Sequence, residues 1–409
     1  MTYFRLIGVL ITALWKLDCY LNAAMDFAFT EEQLAYKESV VKFARTELNA
    51  DLTTLDKNGE FNWSAFRKCG EFGIQGLCVP EAYGGSDADP LTVVLAMEAL
   101  GYACKDNGLL FSINAQMWSV QSPLVEFGTE EQKQKYLPAF CRGETVAAHA
   151  MSEPESGSDA FSLRTTATKR EGRYVLNGTK MFITNAAIAD SVLVFATLDR
   201  EMGINGVSAF IVDKGTPGMT VSRKLDKMGL RTSPMGEVVF EDCEIPESSR
   251  VGKEGAGVAI FNCGMEWERG GILASYLGTM ERQIETCVKY ARERKQFGKP
   301  IGRFQAIAHR IADMKVRLET ARWLVYRVAW LKQNSKKAVM DAAIAKLYLS
   351  ECFVKSCLDA VQIHGGYGYM TEFGLERDLR DSISGTLYSG TSEIQRNIIA
   401  AWMGLPKVE

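Results

Sequence analysis

The stretch Met265-Glu266-Trp267-Glu268-Arg269 sets a carboxylate into a helical pattern whose other members are not those of a solvated surface. Residues three and four apart share a helix face. Glu268 is therefore grouped with Gly264, Gly271 and Ile272 and, one turn on, with Ser275. A carboxylate on a small and apolar stripe loses hydration, its pKa rises, and a raised pKa suits a general base. Most helical glutamates are exposed and do no chemistry, so the stripe is what singles Glu268 out. Glu266 falls on another face, where Arg269 at i+3 is placed to pair with it. Cys263 lies off the glutamate's face and reads as packing.

Five further stretches carry residue types that bind or orient ligands: Ala150-Met151-Ser152-Glu153-Pro154-Glu155-Ser156-Gly157-Ser158-Asp159, Lys180-Met181-Phe182-Ile183-Thr184-Asn185, Arg292-Glu293-Arg294-Lys295-Gln296-Phe297-Gly298, Gln362-Ile363-His364-Gly365-Gly366-Tyr367-Gly368, and Tyr388-Ser389-Gly390-Thr391-Ser392-Glu393-Ile394-Gln395-Arg396. Taken singly, each is a turn or a helix end, and each glycine a cap or a close-packing residue. No GxGxxG follows a strand, and there is no Walker loop, GxSxG elbow or HExxH, which weighs against nicotinamide, phosphoryl-transfer and serine-hydrolase chemistry. His149, His309 and His364 have no cysteine at zinc-ligand spacing, so no metal site is expected.

Helical patterning runs over 31–141, broken at Pro80, Gly84-Gly85 and Pro90, and Thr30 with Gln33 forms a capping box at its start. Over 145–251 the period shortens to that of strands. Segments 173–176 and 179–184 flank Asn177-Gly178, a dipeptide favoured in tight hairpin turns, and 191–198, 207–212, 219–225 and 237–240 follow. From Gly255 long helices return, including 303–333 and 339–364, without internal proline. Helices, then a β segment, then helices place the sheet between two helical layers. The domains are expected at 25–144, 145–252 and 253–409.

The 409 residues suffice for such a core, and 47 Lys+Arg against 50 Asp+Glu leave a net charge of -3 without a basic patch for nucleic acid. Hydrophobic residues at 47% and charged residues at 24% are globular values that exclude disordered and disulfide-scaffold classes. The ten cysteines form no CxxC pair, which suits a reduced, cytoplasmic protein. An apolar run over 6–15, preceded by Arg5 and followed by Asn22-Ala23-Ala24, has the outline of a leader but is too short to span a membrane. Met25 stands as a second start, and residues 1–24 are expected to be an N-terminal extension.

In their order and separations the five stretches resemble the acyl-CoA dehydrogenase family of flavoproteins, from about Met25 to Gly404. The resemblance implies an α+β fold with an N-terminal helical domain, a middle β-barrel or sandwich and a C-terminal four-helix bundle. It implies FAD as cofactor, bound at a subunit interface of a homotetramer that is a dimer of dimers. The loop of Met151, Ser152, Gly157 and Ser158 would face the flavin and the pyrophosphate or pantetheine, with Phe182 and Thr184 beside the isoalloxazine ring. Arg294, Gln296, Phe297 and Gln305 would reach the pyrophosphate and adenine of a neighbouring subunit's FAD. Gln362, Gly365 and Gly366 would cradle that FAD, and Thr391 and Glu393 would begin the last helix near it. Small residues let backbone N–H groups approach phosphate, and Arg294 offers a forked cationic donor.

The family takes an α-proton from a thioester with a glutamate while the β-hydrogen leaves as hydride. Its commonest base precedes Gly-Thr in the last block, where this chain has Ser389. A minority branch carries the base on an earlier helix immediately before an arginine, a position that Glu268 matches. Ser389 keeps the backbone N–H that stabilises the thioester carbonyl as charge develops, and Ser158, Arg269, Tyr388 and Gly390 are implied to line the substrate. The Glu268/Ser389 arrangement is most similar to the branch that oxidises prolyl groups on an acyl or peptidyl carrier protein to pyrroline-carboxyl groups in natural-product assembly, of the cyanobacterial anatoxin type. Phe182, where many members coupled to electron-transferring flavoprotein have Trp, leans toward oxygen as acceptor. The alternative is a short- or branched-chain acyl-CoA dehydrogenase passing electrons to electron-transferring flavoprotein. Glu268 argues against a scaffold relative without catalysis, and Ser389 against a nitroalkane-type oxidase, which has an aspartate there. No nucleic-acid or membrane partner is expected.

Overall fold

The computed structural model describes residues 28–406, so the expected extension at 1–24 lies outside the described residues. The chain divides into a small unit ending at Tyr36 and a large unit from Lys37 onward. In the small unit, Gln33 N donates to Thr30 Oγ1 and Thr30 N to Gln33 Oε1, both at 3.1 Å. This is the reciprocal box expected at the start of α1 (Glu31–Glu47).

In the large unit, α2 (Pro90–Ala103) starts where Asp89 accepts Thr92 N at 3.1 Å and Pro90 occupies the first turn. It is apolar on almost every side, as a helix buried all round must be. Two glycines let it approach α6 (Ala274–Glu293) backbone to backbone. A Cβ on Gly101 would lie 1.7 Å from the Ser275 carbonyl oxygen, and one on Gly278 would lie 2.0 Å from that of Glu98. After α2 come α3 (Asn107–Gln116), a π-helical turn over Met117–Gln121, and α4 (Glu130–Cys141).

The middle of the chain forms an eight-stranded mixed sheet in the order β6-β7-β3-β2-β4-β5-β8, with β1 parallel to β4. The strands are β1 (Ala147–Ala150), β2 (Thr166–Arg170), β3 (Arg173–Thr184), β4 (Ser191–Thr197), β5 (Val207–Asp213), β6 (Met219–Lys224), β7 (Met235–Pro246) and β8 (Arg250–Val251). Asn177-Gly178 is not a turn. β3 runs through it, paired with β7 from Arg173↔Pro246 to Thr184↔Met235, and Gly178 at φ 149 sits at a bulge against Thr165. The tight turn is Glu171-Gly172, at φ 31 and 77, joining β2 to β3. The long ladder to β7 outweighs the local turn preference of Asn-Gly.

One face of the sheet is filled by its own residues, Tyr174, Phe210 and Phe240 among them. The other packs Leu193, Phe195 and Ile211 against Leu137 and Phe140 of α4 and Ile260 of α5 (Gly257–Trp267). Helices from both sides of the sequence thus share one face of the sheet, in place of the expected sheet between two helical layers, because the β segment fills its other face with its own side chains. The C-terminal helices are α6, α7 (Gln305–Gln333) and α8 (Val339–His364), with α9 (Leu375–Ser384) and α10 (Ser392–Trp402) laid against α8.

Candidate active site

α5 does not run straight into α6. Between them Glu268–Ile272 forms a π-helical turn that begins at the carboxylate, and the turn Met117–Gln121 packs against it. Such widened turns recur at functional sites. The two are joined by Trp118 stacked on Trp267, ring centroids 5.1 Å apart at 12°. A Cβ on Gly271 would lie 2.9 Å from the Trp118 ring, so the small residues of the stripe are what permit this approach.

Glu268 is 8% exposed. Ser119 Oγ donates to its Oε1, and Ser389 Oγ donates to Oε2 at 2.8 Å. Burial raises the Glu268 carboxyl above its ordinary range, while the two hydroxyls and the charges of Arg269 and Lys346 pull it down. Burial favours the neutral acid and the donors favour the anion. A carboxylate balanced in this way is a stronger base than an exposed one.

The segment bearing Ser389 is held by its carbonyls. Ser389 O accepts from Arg269 Nε at 3.3 Å and Gln395 Nε2 at 3.0 Å. Gly390 O accepts from Lys346 Nζ at 2.7 Å and Gln395 Nε2 at 2.9 Å. Ser389 stands at φ 52 and Gly390 at φ 90. Thr391 Oγ1 then caps α10 at Ile394 N, 3.3 Å, with Glu393 in the first turn. Tyr388 packs its ring on Phe111 at 4.7 Å and donates to Tyr276 Oη at 3.2 Å.

The expected pairing of Glu266 with Arg269 is not made. Glu266 pairs with Lys332 Nζ of α7 at 2.5 Å and accepts Ala338 N at 3.3 Å. The π turn that begins at Glu268 and contains Arg269, and the cation that α7 offers to Glu266, together leave Arg269 to reach Ser389.

Of the residues implied for the flavin, Phe182 and Thr184 lie on β3, and Met151 and Ser152 are bonded to it. Lys180 and Glu153 form a buried ion pair at 2.8 Å. Lys180 Nζ also donates to Met151 O at 3.1 Å, and Met181 N to Ser152 O at 2.9 Å, pinning the Met151–Ser152 loop to the strand. Burial pulls the Lys180 ammonium down to about 8. Against the upward pull of burial, that ammonium and its hydrogen bonds hold Glu153 below the ordinary carboxylate range. Phe182 lies between the paired residues Lys180 and Ile183 at φ 61, with its ring turned out and 61% exposed. An aromatic in the left-handed region carries a local strain of about 1–3 kcal/mol. Thr184, half-buried, ends the strand, while Gly157 and Ser158 are exposed in the loop beyond Ser152.

A second group meets in a groove of about 700 Å³ lined by Arg294, Gln296, Phe297, Gln362, Gly365 and Gly366, together with Tyr290 and Tyr367. Phe297 tips the hairpin of β9 (Lys295–Gln296) and β10 (Lys299–Pro300), where Phe297 at φ 54 and Gly298 at φ 77 make the turn. Its ring is 93% exposed. Arg294 lies over the Tyr367 ring at 5.7 Å, and a Cβ on Gly365 or Gly366 would meet nothing within 4 Å. Gln305 begins α7 and is not among the residues lining the groove. A guanidinium, the exposed rings of Phe297 and Tyr367 and open glycine backbone suit a ligand with anionic and planar parts, as FAD has. Among the described residues no group of three His, Cys, Asp or Glu side chains is arranged for a metal.

Ser119 and Lys346 escaped the sequence analysis, while Gln395, Glu153 and Lys180 stood in its stretches without a role. Lys346 had a signal, since it shares a helix face with Ala342, Ala343, Leu349, Ser350 and Phe353, all buried. Ser119 had none, because its partner is 149 positions away.

Models of the acyl-CoA dehydrogenase N-terminal, middle and C-terminal domains match residues 30–144, 148–243 and 255–404. An L-prolyl-[peptidyl-carrier protein] dehydrogenase of Pseudomonas fluorescens is 42% identical over 92% of this chain and 99% of its own length. An acyl-CoA dehydrogenase of Bacillus subtilis is 43% identical over 91% and 98%. The crystal structure of the prolyl acyl carrier protein oxidase AnaB superposes with a TM-score of 0.91 at 50% identity, covering 92% of this chain and all of that one. Chains of this fold have been solved with FAD.

Proposed function

Because this chain belongs to the acyl-CoA dehydrogenase family and is an FAD-dependent dehydrogenase, we propose that it oxidises a prolyl group carried as a thioester on an acyl or peptidyl carrier protein, with Glu268 as the base. FAD supplies a hydride acceptor for the β-hydrogen. Glu268 takes the α-proton, and its burial on the π turn makes the carboxylate basic enough for that step. The Ser389 N–H donates to the thioester carbonyl as negative charge grows on its oxygen. Arg269, Lys346 and Gln395 keep that N–H in place by holding the carbonyls of Ser389 and Gly390. Ser158, Tyr388 and Gly390 line the substrate beside Arg269 and Ser389.

Met151, Ser152, Gly157, Ser158, Phe182, Thr184, Thr391 and Glu393 hold the flavin end of FAD. Arg294, Gln296, Phe297, Gln362, Gly365 and Gly366 hold its pyrophosphate and adenine in the groove that they line, and Gln305, outside that lining, is left without a contact to it. The open face of the groove and the exposed Phe297 ring fit a cofactor shared with a second subunit, in a homotetramer built as a dimer of dimers. We take the domains as 25–144, 145–252 and 253–409, the extension 1–24 as separate from them, and the compartment as cytoplasmic. None of the helices among the described residues is long and apolar enough to cross a membrane. The product is a pyrroline-carboxyl thioester for alkaloid-toxin assembly, and oxygen is the acceptor, in keeping with Phe182.

The observation that carries the chemistry is Glu268, a buried carboxylate held at both oxygens. Prolyl as substrate rests on the 50% identity to the carrier-protein oxidase. The 43% identity to an acyl-CoA dehydrogenase supports a second reading, a short- or branched-chain acyl-CoA dehydrogenase that uses electron-transferring flavoprotein. Anaerobic mixing of the yellow protein with prolyl-loaded carrier protein or with short and branched acyl-CoAs separates the two. Bleaching of the flavin by the carrier-bound prolyl group alone is expected. Bleaching by a CoA ester alone would replace this reading with the second.

A further inference from the structure

We infer that Ser119 is a positioning residue for the base: with Ser389 it clamps the Glu268 carboxylate at both oxygens and sets the pH at which that carboxylate is ready to take a proton. The inference rests on Glu268 being the base. A serine within a helix ordinarily returns its hydroxyl to a carbonyl one turn back. Ser119 is buried and instead donates across 149 positions to Glu268 Oε1. Two widened turns packed on each other, the Trp118–Trp267 stack and the glycine at 271 bring the two side chains together.

Each carboxylate oxygen has two acceptor sites. One hydroxyl per oxygen therefore fixes the plane of the group and leaves a site on each for the proton that arrives. Both hydroxyls stabilise the anion more than the acid, so they offset part of the effect of burial.

The charged and titratable groups around Glu268 are few. Its own turn supplies Arg269, α8 supplies Lys346, and the loop before α10 supplies Tyr388. α7 presents Val328 to Gly270, and its Lys332 is engaged by Glu266. α2 carries Glu98, which is held by Arg322 and Tyr326. Against so sparse a background the loss of one donor is readable.

The test uses FAD-loaded Ser119→Ala, Ser119→Cys and Ser389→Ala variants, with Glu268→Gln as reference. One readout is the pH profile of anaerobic flavin reduction by whichever thioester bleaches the protein. The other, independent of substrate, is the infrared carboxylic-acid band that Glu268→Gln removes. Ser119→Ala should move the acid limb and the band's midpoint to higher pH. Its rate should fall at least tenfold at pH 6 and recover to within threefold at pH 9. Ser119→Cys keeps the volume with a weaker donor and should shift both in the same direction, so it carries the test if the alanine variant does not fold. A rate lowered by one factor at every pH, with the band unmoved, would overturn the inference. Bleaching retained in Glu268→Gln would instead remove the base assignment beneath it.

Discussion

Glu268 and Asp381 are both carboxylates withdrawn from water, 8% and 2% exposed, and both have a raised pKa, yet their surroundings differ in kind. Around Glu268 stand two hydroxyls and two cations. Around Asp381 stand other acids, the buried Lys227 ammonium and fixed donors: Leu230 N at 2.5 Å, and the Asn107 amide at 3.2 Å, which Asp378 shares at the same distance. Burial lifts Asp381 to about 7, Asp378 and Asp56 add to the lift, and the donors oppose it. Asp381 joins α9, α3 and the segment before β7, one from each block of the chain. It is a rivet. A perturbed carboxyl is therefore not by itself a base, and what distinguishes Glu268 is a neighbourhood that stabilises its anion without tying it to backbone.

That contrast breaks most visibly at Glu268. Glu268→Gln should lower flavin reduction about 10⁴-fold, the upper range for one general base, while changing stability at pH 7 by less than about 1 kcal/mol. Stopped-flow bleaching and urea unfolding read the two effects. Asp381→Asn should do the reverse. A raised carboxyl contributes stability that is complete below its ordinary pKa and is lost as pH climbs through the folded value. For Asp381 the window runs from the ordinary 3.8 up to about 7. The loss is on the order of 4 kcal/mol if the whole shift is realised. The asparagine variant cannot titrate, so its urea-derived stability should be flatter across that window, with flavin reduction within twofold of the parent. A folded Asp381→Asn protein that bleaches tenfold more slowly would end the distinction between rivet and base.

Lys346 tests the cationic half of the contrast. Burial brings its ammonium down to about 8, so below that pH it lends Glu268 a positive charge. Lys346→Met removes the charge, leaves Gln395 on the Gly390 carbonyl, and should raise the pKa of the base. Flavin reduction at pH 6.5 should fall about tenfold and recover as the pH rises, an effect of about 1.4 kcal/mol. An equal loss at every pH would mean that Lys346 serves only to hold the loop.

The same two regions show what a sequence can carry. The stripe around Glu268 was legible because a helix face is a local property, and Lys346 sits on just such a face in α8. Arg294, Phe297, Gln362 and Gly366 were legible as motif members, but that they line one groove depends on how α7 and α8 return past the hairpin. Ser119 and Asp381 were not legible. Their partners lie 149 and 151 positions away, and no local pattern encodes a contact made by tertiary packing. The Asn177-Gly178 turn failed for the related reason that a long ladder outweighs a dipeptide. Glu266 with Arg269 failed because tertiary packing brings Lys332 of α7 and the Ala338 N–H to the Glu266 carboxylate.

Tyr388 sharpens the comparison at its smallest scale. It adjoins Ser389, its burial holds the phenol well above the ordinary range, and so it stays neutral beside Glu268. A neutral neighbour should tune the base far less than Lys346 does. Tyr388→Phe keeps the ring packed on Phe111 and deletes the hydrogen bond to Tyr276, a neutral pair whose net contribution is about 1 kcal/mol. Stability should fall by no more than that, flavin reduction should change less than about threefold, and the acid limb of the rate should stay in place. A limb that moved as far as in Lys346→Met would mean that the phenol, rather than the ammonium, governs the proton affinity of Glu268.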